Sequence, residues 1–163
     1  MAASVKQQLA CAGVVFVLFL CWAGYHYRDI LFGIEIEEDK IVVEDNRIKE
    51  IKIRVNDKEY VVAVADNKAA QEFAESTPFE LPMKDLNENE KYYEGKDTLI
   101  PSSHRVNRIK TGDLMLYNDN CIVLFYKDFD TDYSYTRLGW VYDAEDLAET
   151  LGDGDVTVIF TKD

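Results

Sequence analysis

The chain reads as a mainly-β protein, a closed barrel carrying two short helices behind an apolar N-terminal segment. Three observations predict it. About seven or eight short runs alternate apolar and polar residues, and turn residues separate them. Only two runs carry helical spacing, and both are short. Strands and helices do not alternate as they do in a parallel sheet, so the strands close on one another instead.

The elements follow in order. Residues 1–32 form a leader and 33–48 a linker or short hairpin, in which "IEIEED" and "KIVVED" either pair or make a charged stalk. The main domain occupies residues 49–163. "RIKEIKIRV" and "KEYVVAVA" are two strands joined by a tight turn at Asn56-Asp57. In "DNKAAQEFAEST", Ala69, Ala70, Phe73 and Ala74 recur on one helical face, Asp66 or Asn67 caps the start, and Thr77-Pro78 ends it. "FELPMKDLNENEKYYEG" reads as a strand, an Asn-rich loop and a further extended piece, with its acids on a solvated loop. "PSSHRVNRIKTG" is loop-like as far as Ile109. "DLMLYN" and "CIVLFYKDF" form a hairpin whose apolar run, Val123 to Phe125, places it centrally. "YTRLGWVYD" is another strand. "AEDLAETLG" is the second helix, with Gly152 at its C-terminal end. "DVTVIFTK" closes the barrel with Val156, Val158 and Phe160 on one face.

Composition narrows the function. The formal net charge is −13 over 163 residues, and residues 33–163 hold 16 Lys and Arg against 30 Asp and Glu. Such a domain repels phosphate backbones, which argues against a nucleic-acid partner. Cys121 is the one cysteine outside the leader and reads as a small buried hydrophobe. There is no CxxC or HExxH, and His26 and His104 are the only histidines, so no metal and no cofactor is expected. "DFDTD" at 128–132 lacks the Gly and distal Glu of an EF-hand loop.

"LACAGVVFVLFLCWAGY", Leu9 to Tyr25, carries no charge over 17 residues. That meets the short end of a bilayer span, about 17–25 residues. Trp22, Tyr25 and Tyr27 sit where an interfacial aromatic belt would. The segment reads as a signal anchor, which makes the membrane a partner and places the domain outside the cytoplasm. A leader cleaved at the small-x-small site Cys21-Trp22-Ala23 is the alternative and gives a secreted domain.

"MKDLNENEKYY", the block from Lys110 to Val141 and the closing "LGDGDVTVIF" resemble, in order and spacing, the bacterial cyclophilin-like domain family over roughly residues 49–161. The resemblance implies a cyclophilin-type barrel with a helix at each end, and a family largely without assigned function. It also raises prolyl isomerisation. His104-Arg105 and the later Gly112-Asp113 are similar to parts of the cyclophilin motifs, which makes Arg105 the candidate catalytic residue. Ser103 stands where those motifs have Phe, and no Phe-Met-x-Gln segment intervenes. Such an enzyme aims a guanidinium at the prolyl nitrogen beside a dry pocket, against a barrier of about 18–20 kcal/mol.

"YKDFDTDYSYTRLGW", Tyr126 to Trp140, supplies the candidate binding residues: Tyr126, Phe129, Tyr133, Tyr135 and Trp140. Tyr133 and Tyr135 flank Ser134 and share one strand face. Rings with polar tips suit recognition of a peptide or small ligand. Cross-strand ring packing is the structural alternative, at about 0.2–1 kcal/mol per pair. The function expected is therefore a ligand- or peptide-binding module, with a divergent prolyl isomerase as the alternative.

Overall fold

A computed structural model describes residues 47–162. The leader, the linker up to Asn46 and the readings placed on them lie outside the described residues. Eleven strands and two helices follow one another: β1 (Glu50–Val55), β2 (Lys58–Val64), α1 (Lys68–Glu75), β3 (Phe79–Leu86), β4 (Glu90–Glu94), β5 (His104–Arg105), β6 (Arg108–Ile109), β7 (Asp113–Tyr117), β8 (Cys121–Phe125), β9 (Phe129–Asp130), β10 (Ser134–Val141), α2 (Leu147–Leu151) and β11 (Val156–Thr161).

Eight of these strands close a barrel in the order β2-β1-β11-β3-β4-β8-β7-β10, and β10 pairs back onto β2. Every pairing in the ring is antiparallel. Closure needs a close approach at Gly139, which faces Val64 across the β10–β2 seam. A Cβ there would lie 2.4 Å from the Ala63 carbonyl oxygen, so only glycine lets the seam form. The register of β10 against β7 also shifts between Arg137 and Gly139, a bulge at the strand's midpoint.

The turns hold the residues their backbone requires. Asn56 (φ 54°) closes β1–β2, Asn87 and Glu88 (φ 55° and 54°) close β3–β4, and Asn118 (φ 55°) opens the β7–β8 turn. Asparagine tolerates this left-handed region better than most residues. In α1, Asn67 Oδ1 accepts from the Ala70 amide at 3.0 Å and satisfies one free N–H of the first turn. Ala69, Ala70, Phe73 and Ala74 are all buried, and α1 plugs the barrel with Phe73 edge-on to Phe79 and Phe160. Gly152 (φ 62°) ends α2.

Strand alternation divides the apolar residues into two cores. Leu114, Leu116, Ile122, Leu124 and Leu138 face the barrel interior with Ile53, Val158 and Phe160. Their neighbours Met115, Val123, Phe125 and Tyr135 face outward and join Ile109 in a second, smaller cluster. The short β6–β9 ribbon and its flanking loops cover part of that outer cluster. This explains why the β8 run is apolar on both faces: each face has its own cover.

Candidate functional site

Where the ribbon stops covering the outer face, a groove of about 710 Å³ remains. Its floor comes from β8, its walls from β4 on one side and β7 on the other, and its far rim from the β9–β10 segment Asp130–Tyr133. The β8 register sets Glu90 opposite Phe125, Tyr92 opposite Val123 and Glu94 opposite Cys121, with Tyr117 opposite Cys121 on the other side. The outward residues of three adjacent strands therefore form one surface.

One wall is a chain of rings. Tyr133 meets Tyr117 edge-on at 6.0 Å between centroids, and Tyr117 meets Tyr135 at 5.6 Å. Tyr135 meets Phe125 edge-on at 5.6 Å, and Phe125 meets Phe129 at 5.6 Å. Tyr135 is buried and carries the wall inward, while Tyr133 is 63% exposed at its outer end. Edge-on contacts of this kind fix ring orientation and contribute about 0.5–1.5 kcal/mol each beyond area burial.

The other wall is β4, with Glu90, Tyr92 and Glu94 alternating outward. The Glu90 carboxylate is half-buried and has no hydrogen-bond or ion-pair partner among the described residues. Burial, with a further contribution from the Asp85 charge, pushes its carboxyl up to about 7. Asn89 Oδ1, also in the lining, is buried and unpartnered. Cys121 lies on the floor as a free thiol, pushed up to about 11 by burial and by the Glu94 and Glu90 charges. Burial first, then the charge on Glu90, pushes the Tyr135 hydroxyl up to about 12.

Of the rings picked out from the sequence, Phe129, Tyr133 and Tyr135 meet in this groove. Tyr126 and Trp140 do not. Tyr126 turns into the barrel interior and donates from its hydroxyl to Asp85 Oδ2 at 2.7 Å. Trp140 sits on a different part of the surface, edge-on to Tyr142 at 6.4 Å. Arg105 lies on β5, 61% exposed, and pairs with Asp132, a rim residue of the groove. The acids of "DFDTD" engage cations in turn: Asp128 and Asp130 pair with Arg108, and Asp132 with Arg105. Asp128 also accepts from the Thr111 amide at 2.8 Å and its hydroxyl at 3.1 Å, which with Arg108 holds its carboxyl below the usual range. Among the described residues no three His, Cys, Asp or Glu side chains are arranged to hold a metal.

Sequence reasoning missed Glu90 and Glu94 because the acids of "LNENEKYYEG" read as solvated, and Tyr92 and Tyr117 because their strands carry no cue to the shared face. The extended piece expected after the Asn-rich loop is β4. Only the Asn87–Asn89 portion of that run is loop, and Glu90–Glu94 is a strand inside the ring. The available signal was the aromatic pair Tyr92-Tyr93 in an extended run after an Asn-rich turn.

A second hollow of about 490 Å³ adjoins the groove and shares Tyr92 and Glu94 with it. A third, of about 720 Å³, lies elsewhere beside Lys58, Tyr60 and Tyr142. There Asp146 is engaged by both Lys58 and the Tyr60 hydroxyl.

The fold is an antiparallel eight-stranded barrel plugged by a helix, with a ring-lined groove on its outside. Residues 53–161 match the cyclophilin-like family, and the chain belongs to it. No curated protein matches the sequence. The solution structure of the hypothetical protein AF2241 from Archaeoglobus fulgidus is similar, with a TM-score of 0.49 at 13% identity, over 71% of this chain and 95% of that one.

Proposed function

We propose that this domain is a binding module whose outer groove takes an extended peptide or a small ligand. The observation that carries the reading is the wall of Tyr133, Tyr117, Tyr135 and Phe129, backed by the buried Phe125 ring and left open to solvent at the Tyr133 end. Leu86 and Tyr133 stay exposed at the groove, an apolar surface with nothing packed on it among the described residues. The adjoining hollow past Glu94 gives an extended ligand room to continue along β4. The test is two-dimensional NMR of the full-length protein with pooled capped octapeptides. Amide shifts at Tyr117, Cys121 and Tyr133 that disappear in Tyr117→Ala support it. Shifts confined to other faces, or none at millimolar peptide, end it.

A divergent prolyl isomerase is the second reading. The pairing of Arg105 with the rim residue Asp132 favours it, since it leaves a guanidinium beside the groove. The membrane role rests on the 17-residue uncharged run from Leu9 to Tyr25, with the domain held outside the cytoplasm. No helix among the described residues is long and apolar enough to cross a membrane. Carbonate extraction of cell membranes tests the anchor, and full-length chain in the soluble fraction would refute it.

A further inference from the structure

We infer that the occupant of this groove is a basic peptide segment, one lysine or arginine side chain of which lies along the ring wall with its head group against Glu90 and Asn89. This rests on the groove being a binding site and adds the chemistry of what it binds.

Two unmet needs at one end of the groove carry the argument. The Glu90 carboxylate is half-buried without a cation or a hydrogen-bond donor among the described residues. One residue away, Asn89 Oδ1 is a buried acceptor without a donor. Leaving either unpaired costs free energy that a native fold normally avoids. Both are acceptors, and a donor-rich cation seated on the Glu90 carboxylate brings spare donors to the Asn89 end of the groove. An ammonium offers three donors and a guanidinium five, and neither accepts. An acidic ligand cannot do this, and a neutral donor lacks the charge that the Glu90 carboxylate attracts.

The surroundings fit the rest of such a side chain. The rings of Tyr92, Tyr117 and Tyr135 offer apolar surface for the aliphatic stem, and their faces attract a cation. Glu94, two residues further along β4, also has no partner among the described residues and extends the negative wall toward the adjoining hollow. The acids on the opposite rim, Asp130 and Asp132, are already engaged by Arg108 and Arg105, so the unmet charge is on the β4 side. The paired charges beside Lys58 and Asp146 in the separate hollow make the contrast plain.

The decisive measurement is isothermal calorimetry of the full-length protein in nonionic detergent at 150 mM salt. The probes are three capped octapeptides of one Gly-Tyr-Xaa repeat, with Xaa as Lys, Gln or Glu. The Lys peptide is expected to bind at least tenfold tighter than the Gln peptide, and the Glu peptide not at all. Glu90→Gln is expected to erase most of that tenfold preference by weakening the Lys peptide. A control, Glu80→Gln with Glu149→Gln, removes two exposed charges away from the groove and is expected to keep the preference. Equal binding of the Lys and Gln peptides that Tyr117→Ala abolishes would overturn the charge assignment and leave the binding module standing. Equal loss in the control would reduce the preference to bulk charge and overturn the assignment as well. No binding by any of the three would remove both readings together.

Discussion

Glu90 and Lys91 are neighbours on β4, yet alternation sends them to opposite faces of the barrel wall and to opposite fates. Lys91 points inward and is completely buried. Its Nζ donates to Asp85 Oδ2 at 2.5 Å and to the carbonyls of Gly152 and Gly154 at 2.7 Å each. All three N–H bonds are used, and the Tyr126 ring lies 5.2 Å from the charge. Glu90 points outward into the groove and has no such partner among the described residues. A buried charge with every bond met is part of the fold's framework. A half-buried charge with none met costs stability, and the proposed basic ligand would recover that cost. One dipeptide thus holds a fully paired charge and an unpaired one.

The largest effect is expected from breaking the inner half. Lys91→Met keeps much of the volume but leaves two carbonyls unmet and Asp85, 20% exposed, with the Tyr126 hydroxyl alone, so the cost is expected at the low end for a broken buried pair, about 3 kcal/mol. Thermal unfolding followed by circular dichroism should show the drop, and adding Asp85→Asn should recover part of it. A Lys91→Met protein as stable as the wild type would mean that the network contributes no net stability. The Lys91 hydrogen bond, then the Tyr126 hydroxyl, hold the Asp85 carboxyl below its ordinary value. Its contribution is present above pH 3.8 and is lost as pH falls through the depressed folded value.

Glu90 should behave in the opposite sense. Its folded carboxyl titrates near 7 against 4.5 unfolded. Between those values the folded chain holds a proton that the unfolded chain releases, so stability falls as pH rises from 4.5 to 7. With a discount for partial exposure, Glu90→Gln should stabilise the protein at pH 8 by about 2 kcal/mol and flatten that slope. Urea unfolding at pH 4.5, 6 and 8 measures both. An unchanged slope would show that Glu90 is solvated. The same variant is expected to lose the proposed lysine preference, so stability gained and binding lost would come from one carboxylate.

On the inner face again, Tyr126→Phe deletes the hydroxyl that donates to Asp85. The expected cost is about 1 kcal/mol, because the buried acceptor keeps its bond to Lys91. Chemical denaturation resolves that much. Ligand binding in the groove should be unchanged, since the ring faces the interior.

How far the sequence reached follows the same division of faces. The hairpins, both helices and the closed ring were legible because turn asparagines, the Asn67 cap and alternation are local signals. The groove was half legible. Phe129, Tyr133 and Tyr135 come from one stretch and were visible together, whereas Tyr92 and Tyr117 reach them only through the β4–β8–β7 register. Tyr126 and Trp140 belong to that stretch but not to the groove, because the face of a ring depends on where the strand begins and where the bulge near Gly139 falls. Lys91 was hidden for a different reason. Lysine is seldom fully buried, and its three acceptors lie 6 to 63 residues away along the chain.

The smallest stability effect and the sharpest functional question meet at Arg105. Its guanidinium is 61% exposed and its partner Asp132 90%, so water and salt screen the pair. Arg105→Ala should change unfolding free energy by less than about 0.5 kcal/mol, measured by urea titration. That near-neutrality makes the variant informative, because any loss of function then comes from the guanidinium rather than from the fold. Exchange NMR on proline peptides should give equal cis–trans rates for the wild type and Arg105→Ala if the domain only binds. Acceleration by the wild type that vanishes in the variant would instead place chemistry at the groove's rim. The β4 wall would then hold the basic substrate while the opposite rim acts on its prolyl bond.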